Sequence, residues 1–211
     1  MTNGINNTPV LDAFNLRREY GPLEFDVIKR ISITGIYELP FGKGRRFLSQ
    51  SSPVVNYLLG GWQINGITTL QGGFPLTPVL SFSLARTFTN SRPNAVGNPT
   101  ATSRQPSDWL NPAAFAVPSN AEIAAGNFHG AAGRGSVRSP GFVNIDFSAG
   151  KNFAIRERMT LQFRGEFFDV TNTPNFAIPS GVGLVVGTPT FGKVTAGADP
   201  RVIQFGLKLL F

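Results

Sequence analysis

Residues 143–170 read VNIDFSAGKNFAIRERMTLQFRGEFFDV, and the predicted fold class follows from this segment. Apolar and polar side chains alternate along it in two runs, separated by a short polar turn. The apolar members are Val143, Ile145, Phe147 and Ala149 in the first run, and Met159, Leu161, Phe163 and Phe167 in the second. Because successive side chains of a strand point to opposite faces, a period of two indicates amphipathic strands. We therefore predict an antiparallel hairpin.

Three further segments show the same alternation, which brings the predicted strands to five. The five lie near residues 25–39, 61–76, 142–151, 158–170 and 201–211. The last of them ends on Phe211, an aromatic residue in the apolar register. One helical turn is expected within residues 52–59, where Pro53 suits the start of a helix. The pattern predicts an all-β protein with antiparallel strands.

The environment of these strands follows from their length and from their connections. Globular strands usually contain about 5 to 6 residues, whereas a tilted strand that crosses a bilayer needs roughly 9 to 11, which fits these segments. Long connections at 77–141 and 172–200 contrast with a short one at 152–158, as in outer-membrane barrels. The alternation alone fits a soluble β-sandwich equally well, because a sandwich buries the apolar face in its core.

Composition excludes several classes of function. The chain has no cysteine and one histidine, so disulfide scaffolds, Cys-ligated zinc and Cys nucleophiles are excluded. His129 lies in a predicted loop without an acidic or Ser partner nearby, which favours a solvated side chain. The formal charge of +7 is dispersed between Arg17 and Lys208. We expect no enzyme activity, no cofactor and no nucleic-acid partner. The sequence contains no run of 18 apolar residues, so we predict no transmembrane helix.

Three charged residues fall in the polar register of the hairpin: Asp146, Arg164 and Glu166. In a barrel, this register would face the lumen. One interpretation is a solvated or mutually paired row, in which each exposed pair contributes at most about 1 kcal/mol. The other is contact with a plug or with a passing substrate. Both interpretations stay open at the level of the sequence.

Several short motifs occur along the chain in an order and spacing typical of one family. They are ELPFGKGR at 38–45, LGGWQINGI at 59–67, WLNPAAF at 109–115, NTPNF at 172–176 and PRVIQF at 200–205. Together they resemble the C-terminal portion of the barrel of TonB-dependent receptors, of the Oar-like type common in acidobacteria. The resemblance extends over most of the chain.

The resemblance implies a place in the cell outer membrane and a function in transport. Receptors of this family are large closed barrels plugged by an N-terminal domain, and they import a bulky substrate when the TonB complex pulls on the plug. This chain shows no plug and only five of the roughly 22 strands of such a barrel. We therefore expect residues 1–211 to be a C-terminal barrel fragment that contacts lipid, reaches TonB only through the missing plug, and cannot transport alone. The alternative is a secreted soluble β-sandwich that binds a ligand.

The resemblance also implies a role for the final strand. Its apolar register consists of Ile203, Phe205, Leu207, Leu209 and Phe211. In similar proteins, a terminal aromatic on an amphipathic last strand is recognised by the barrel-assembly machinery, since an open strand edge can add to another sheet. The alternative is that Phe211 is one more lipid-facing anchor.

Overall fold

The chain divides into a sheet unit and a loop unit. A computed structural model describes residues 10–84, 90–179 and 181–211. The sheet unit consists of residues 30–71, 143–174 and 199–211, and the loop unit consists of the described parts of residues 1–29, 72–142 and 175–198.

The sheet unit is built on five strands, whose order in the sheet follows their order in the chain. They are β1 (Arg30–Glu38), β2 (Trp62–Gln71), β3 (Phe142–Arg156), β4 (Met159–Phe168) and β5 (Val202–Leu210). The pairs β1–β2, β3–β4 and β4–β5 are antiparallel. The prediction of antiparallel strands with a hairpin at residues 142–170 is confirmed, and β1 and β5 form the edges of the described sheet.

The register keeps the apolar and polar side chains on separate faces. Phe167 of β4 lies opposite Phe147 of β3 and Ile203 of β5, and all three belong to the apolar register. Glu166, the neighbour of Phe167 in the chain, points to the other face because side chains alternate along a strand. Each face of the sheet is therefore continuous across β3, β4 and β5.

β1 begins at Arg30 rather than at residue 25. Asp26 lies in a turn, where its backbone N–H donates to the carbonyl oxygen of Leu23 (2.8 Å). The guanidinium of Arg138 donates to the carbonyl oxygen of Asp26 (2.9 Å) and to its carboxylate (3.0 Å). The sequence pattern continues through this segment, but these bonds occupy backbone groups that a strand ladder would use.

β2 ends at Gln71 rather than at residue 76. Pro75 and Leu76 instead pair with residues 137–138 in a two-stranded sheet of the loop unit. β3 is longer than predicted, with 15 residues, and ends at Arg156. Alternation does not reveal these limits, because a polar–apolar pattern can continue after the strand has changed its partner.

The helical turn expected near residues 52–59 is present as α1 (Pro53–Leu59). Ser52 caps the helix, and its hydroxyl oxygen accepts a hydrogen bond from the backbone N–H of Val55 (3.4 Å). Proline is tolerated at the first helical position because that N–H has no partner within the helix. The sequence prediction is confirmed here. Among the described residues, no helix qualifies as a transmembrane span, which needs at least 18 residues of high mean hydropathy.

The apolar face of the sheet is exposed. Phe205 and Leu207 retain 69% and 71% of their accessible surface, and Ile33 retains 61%. Among the described residues, the buried apolar side chains all belong to the loop unit. In a soluble sandwich, the apolar face of the sheet forms the core. This sheet instead leaves its apolar face exposed.

The loop unit contains short elements between its turns. Its two-stranded sheets pair Pro75–Leu76 with Val137–Arg138, Asn94–Ala95 with Phe115–Ala116, and Thr100–Gln105 with Asp108–Leu110. Its helices are α2 (Asn120–Ala124) and three 3₁₀ turns at Leu16–Glu19, Pro112–Ala114 and Gly181–Leu184. A capping box between Ser119 and Glu122 starts α2.

An apolar core holds the loop unit together. Its members are Leu76, Leu110, Ala114, Phe115, Ala132, Val137, Leu184 and Phe191. The rings of Phe115 and Phe191 meet edge to face, with centroids 5.5 Å apart. The sequence predicted long loops at 77–141 and 172–200, without a core of their own. That expectation missed this core, because its members come from distant positions without a shared period.

Replacing one core leucine should weaken the loop unit selectively. Leu110 is buried in the core, so we expect Leu110→Ala to lower the free energy of unfolding of this unit by about 2–5 kcal/mol. Leu23 lies in the same unit but is exposed, and Leu23→Ala should change it by less than about 0.5 kcal/mol. Hydrogen exchange of the loop-unit amides measures both values. Equal effects of the two substitutions would contradict the assignment of the core.

Candidate functional site on the two faces of the sheet

A row of polar side chains crosses the sheet on one face. The Nδ2 of Asn65 on β2 donates to the Oγ of Ser148 on β3 (3.0 Å). Ser148 lies opposite Glu166 on β4, and Glu166 lies opposite Gln204 on β5, whose Nε2 donates to the Glu166 carboxylate. The row therefore connects four strands through hydroxyl, amide and carboxylate groups.

Arg164 and Glu166, both predicted for this face, are brought together by the structure. The Nη1 of Arg164 lies 3.4 Å from Oε1 of Glu166. The Arg164 side chain is 59% exposed, so the pair lies in a well-solvated setting and contributes at most about 1 kcal/mol. The guanidinium keeps donors free for a further partner because it has five N–H groups.

Asp146 was predicted to join this charged row, but its carboxylate has a different contact. Its Oδ1 accepts a hydrogen bond from the backbone N–H of Asp169 (3.0 Å), just after the end of β4. Asp169 is buried and has a φ of +49°, in the left-handed region, and its own carboxylate accepts from the N–H of Thr173 (3.2 Å). Asp146 thus stabilises the turn that ends the hairpin, whereas Arg164 and Glu166 form the exposed pair.

A shallow depression of about 120 Å³ lies on the same polar face. Its lining includes Gln63, Asn65, Asn152, Gln162 and Arg164. The Nε2 of Gln162 donates to Oδ1 of Asn152 (3.2 Å). Amides of this kind can both donate and accept hydrogen bonds, so the depression suits contact with polar backbone or hydroxyl groups.

Aromatic rings run across the apolar face. Phe163 of β4 lies between Trp62 of β2 (5.8 Å between ring centroids, edge to face) and Phe205 of β5 (6.2 Å, stacked). Phe167 contacts the Phe205 ring edge to face at 6.3 Å. A Cβ at Gly165 would lie 3.3 Å from two ring carbons of Phe205, so glycine leaves room for this ring. Such ring pairs contribute about 0.5–1.5 kcal/mol beyond the area that they bury.

The predicted assembly signal lies on the edge strand. Leu207 and Leu209 of β5 lie opposite Phe163 and Leu161, which places the row Ile203, Phe205, Leu207, Leu209 on the apolar face. Phe211 follows the end of β5 and is 97% exposed. The geometry leaves this row accessible on the apolar face of the sheet and along the strand edge.

Lys151 was missed by the sequence interpretation. It lies opposite Phe163 and therefore falls on the apolar face of β3, yet it is buried. Its Nζ donates to the carbonyl oxygen of Tyr57 in α1 and lies 4.8 Å from the centroid of the Phe153 ring. The signal was present in the sequence, since a lysine in an apolar register requires a polar partner.

His129 lies in the loop unit and is half-buried rather than fully solvated. Its carbonyl oxygen accepts a hydrogen bond from Nη1 of Arg18 (2.7 Å). Burial lowers the pKa of the His129 imidazole, and the nearby Arg18 guanidinium lowers it further. Burial also lowers the pKa of Arg92, although its ion pair with Glu19 (3.0 Å) opposes this shift. These contacts tie the segment before β1 to the rest of the loop unit.

No group of three or more His, Asp or Glu residues that could hold a metal ion occurs within residues 10–84, 90–179 and 181–211. We therefore take the two faces of the sheet as the candidate functional surfaces. One face offers hydrogen-bonding groups, and the other offers exposed apolar side chains.

Residues 1–204 match a family model described as outer membrane beta barrel domain. The matched span covers β1 to β4 and the beginning of β5. No curated protein and no solved structure matches the chain.

Removing the carboxylate of Asp146 should destabilise the end of the hairpin. Asp146→Ala leaves the N–H of buried Asp169 without its acceptor, which we expect to cost about 1–3 kcal/mol in the free energy of unfolding. Asn144→Ala alters the same face of the same strand and serves as the control. Urea unfolding in detergent micelles measures both variants. If the two substitutions cost the same, Asp146 does not stabilise this turn.

Proposed function

Because the chain belongs to the outer membrane beta barrel domain family, we propose that it forms part of the wall of an energised transporter of the TonB-dependent type. Its place is the outer membrane, and its strands cross the bilayer. The motifs at 38–45, 59–67, 172–176 and 200–205 support the narrower family. The parent transporter would import a bulky substrate. Residues 1–211 would form part of its barrel wall and would have no catalytic role.

One observation carries the proposal: the sheet exposes its apolar face and hydrogen-bonds across its polar face. The five strands contain 9 to 15 residues, enough to cross a bilayer when tilted. In water, exposed rings such as Phe205 would favour aggregation, whereas in lipid they lie in their preferred solvent. We propose that this face contacts the hydrocarbon of the outer membrane.

The open edges of the sheet support membership in a larger wall. β1 and β5 each have one neighbour in the described sheet. Unpaired backbone groups at such an edge cost several kcal/mol each in hydrocarbon, so a stable barrel closes on itself. Five strands are too few for a barrel around a plug, for which roughly 22 are typical. Further strands of the same barrel would pair with both edges.

The polar row would face the lumen. There, Arg164 and Glu166 would contact the plug or a passing substrate, since the guanidinium is exposed and has donors to spare. The TonB complex would act on this wall only through the plug. Asp146 is not assigned this role, because its carboxylate is engaged at the turn. The proposal assigns no catalytic residue, cofactor or nucleic-acid partner to the chain.

The soluble β-sandwich is the competing interpretation. It would require a second apolar layer against Phe163, Phe205 and Leu207. The structure instead leaves Phe205 and Leu207 exposed, and the family match favours the outer membrane. We therefore retain the barrel wall as the proposed function.

The DNA upstream of Met1 provides a direct test of the transporter class. We expect an in-frame continuation that encodes further amphipathic strands and, before them, a plug domain, because energised import requires a movable plug. A continuation without a plug would overturn the TonB-dependent assignment while leaving the membrane sheet intact.

The terminal aromatic should be required for assembly. In the protein expressed with all of its strands, deletion of Phe211 should lower the amount in the outer membrane severalfold, because the exposed ring would no longer be available to the assembly machinery. Phe211→Tyr retains the ring and should preserve the level. Quantitative immunoblots of outer-membrane fractions measure both variants. An unchanged level after the deletion would assign Phe211 only to anchoring in lipid.

A further inference from the structure

α1 lies on the apolar face of the sheet. Lys151 and Phe153 both project from this face of β3. The Lys151 ammonium donates to the carbonyl oxygen of Tyr57, and the Tyr57 and Phe153 rings are 5.4 Å apart. The indole Nε1 of Trp62 donates to the carbonyl oxygen of Leu58 (2.9 Å). The helix is thereby fixed against the side of the sheet that we propose to contact lipid.

The outer side of this helix is apolar and exposed. Val54 retains 68% of its surface, and Leu58 and Leu59 are also exposed. In the preceding turn, Phe47 and Leu48 are exposed as well. This apolar surface continues the lipid-facing side of the sheet, because α1 rests directly on that side.

Three cations stand next to this apolar surface. Lys43, Arg45 and Arg46 are exposed in the turn between β1 and α1. The turn is tied to the helix, since the Oδ1 of Asn56 accepts a hydrogen bond from the backbone N–H of Lys43 (2.6 Å). Arg45 also pairs with Glu38 (2.8 Å) at an exposed site. The group keeps a net positive charge of two after this pair is counted.

The position of the connection along the strands identifies the leaflet. The connection at residues 39–61 joins the end of β1 to the start of β2. Glu38, the last residue of β1, pairs with Gln63 near the start of β2, so both ends of the connection lie at the same end of the sheet. Side-chain contacts place Trp62 beside Phe163 on β4, close to the short turn between β3 and β4. Short turns of outer-membrane barrels face the periplasm. The connection therefore lies on the periplasmic side.

We propose that residues 39–61 form an interfacial segment that docks on anionic phospholipid of the periplasmic leaflet. Val54 and Leu58 would enter the boundary between headgroups and acyl chains, while Lys43, Arg45 and Arg46 would contact lipid phosphates. A short amphipathic element with basic residues beside its apolar side binds membranes in two ways. Its apolar side chains are buried among the lipids, and its cations are attracted to anionic headgroups. The inference rests on the proposed contact of the apolar sheet face with lipid.

Two single-cysteine variants test the segment and the sheet separately, since the chain contains no native cysteine. Val54→Cys reports on α1 and Phe205→Cys on the sheet, each with an environment-sensitive fluorophore on the protein expressed with all of its strands, in which both sheet edges are paired. The vesicles are phosphatidylcholine alone or with about one third phosphatidylglycerol, an anionic phospholipid. We expect a blue-shifted emission at position 205 in both vesicles, and at position 54 a much larger shift with phosphatidylglycerol.

Charge variants test whether the three cations recognise the anionic headgroups. Combined Lys43→Gln, Arg45→Gln and Arg46→Gln should abolish the phosphatidylglycerol-dependent shift at position 54 and leave position 205 unchanged. The matched control is Arg17→Gln, Arg104→Gln and Lys193→Gln, which removes the same charge from exposed sites of the loop unit. This control should retain the shift.

Three outcomes would overturn the inference. If position 54 stays in water while position 205 enters lipid, the docking is wrong and the membrane sheet stands. If position 54 shifts equally in both vesicles, or if the two charge variants behave alike, recognition of anionic headgroups is wrong. If both positions stay in water, the docking and the proposed lipid contact of the sheet both fail.

Discussion

The structure depends on one constraint, which is that the apolar face of the five-stranded sheet needs an apolar solvent. The strands satisfy most of their backbone groups in antiparallel ladders, while the Phe205 ring stacks on Phe163 and meets Phe167 edge to face on the apolar side. In water this arrangement would expose a large hydrophobic patch. In a bilayer the same face is stabilised, and the polar row on the other side can line an aqueous lumen. The family match agrees with this environment.

Burial is therefore distributed in the opposite way to that of an ordinary soluble sheet protein. The loop unit has a conventional core around Leu110 and Phe115, and the sheet unit leaves its apolar residues outside. Lys151 is the exception on the apolar face, and it is accommodated because α1 supplies a carbonyl oxygen and aromatic rings. The helix provides the hydrogen-bond acceptor for the Lys151 ammonium on the apolar face. We therefore propose that the connection between β1 and β2 belongs to the surface that faces the membrane.

The sequence predicted the strands well because a period of two is a local signal that each strand carries by itself. It failed at the limits of β1 and β2, since those depend on the pairing of Asp26 with Arg138 and of Leu76 with Val137. The loop core was also beyond local reasoning, because Leu76, Leu110 and Phe191 meet only after folding. In the site, alternation placed Arg164 and Glu166 together, whereas the contact of Asp146 with a backbone N–H depends on the geometry of the turn.

The most direct measurement is the accessibility of spin labels placed one at a time along β5, from residue 203 to residue 208, in the protein expressed with all of its strands and reconstituted in lipid bilayers. Molecular oxygen concentrates in hydrocarbon and a nickel chelate stays in water. We expect a strict alternation, with oxygen reaching labels at 203, 205 and 207 and the chelate reaching those at 204, 206 and 208. Labels at 203, 205 and 207 that both reagents fail to reach would indicate an opposing protein layer and would contradict the assignment.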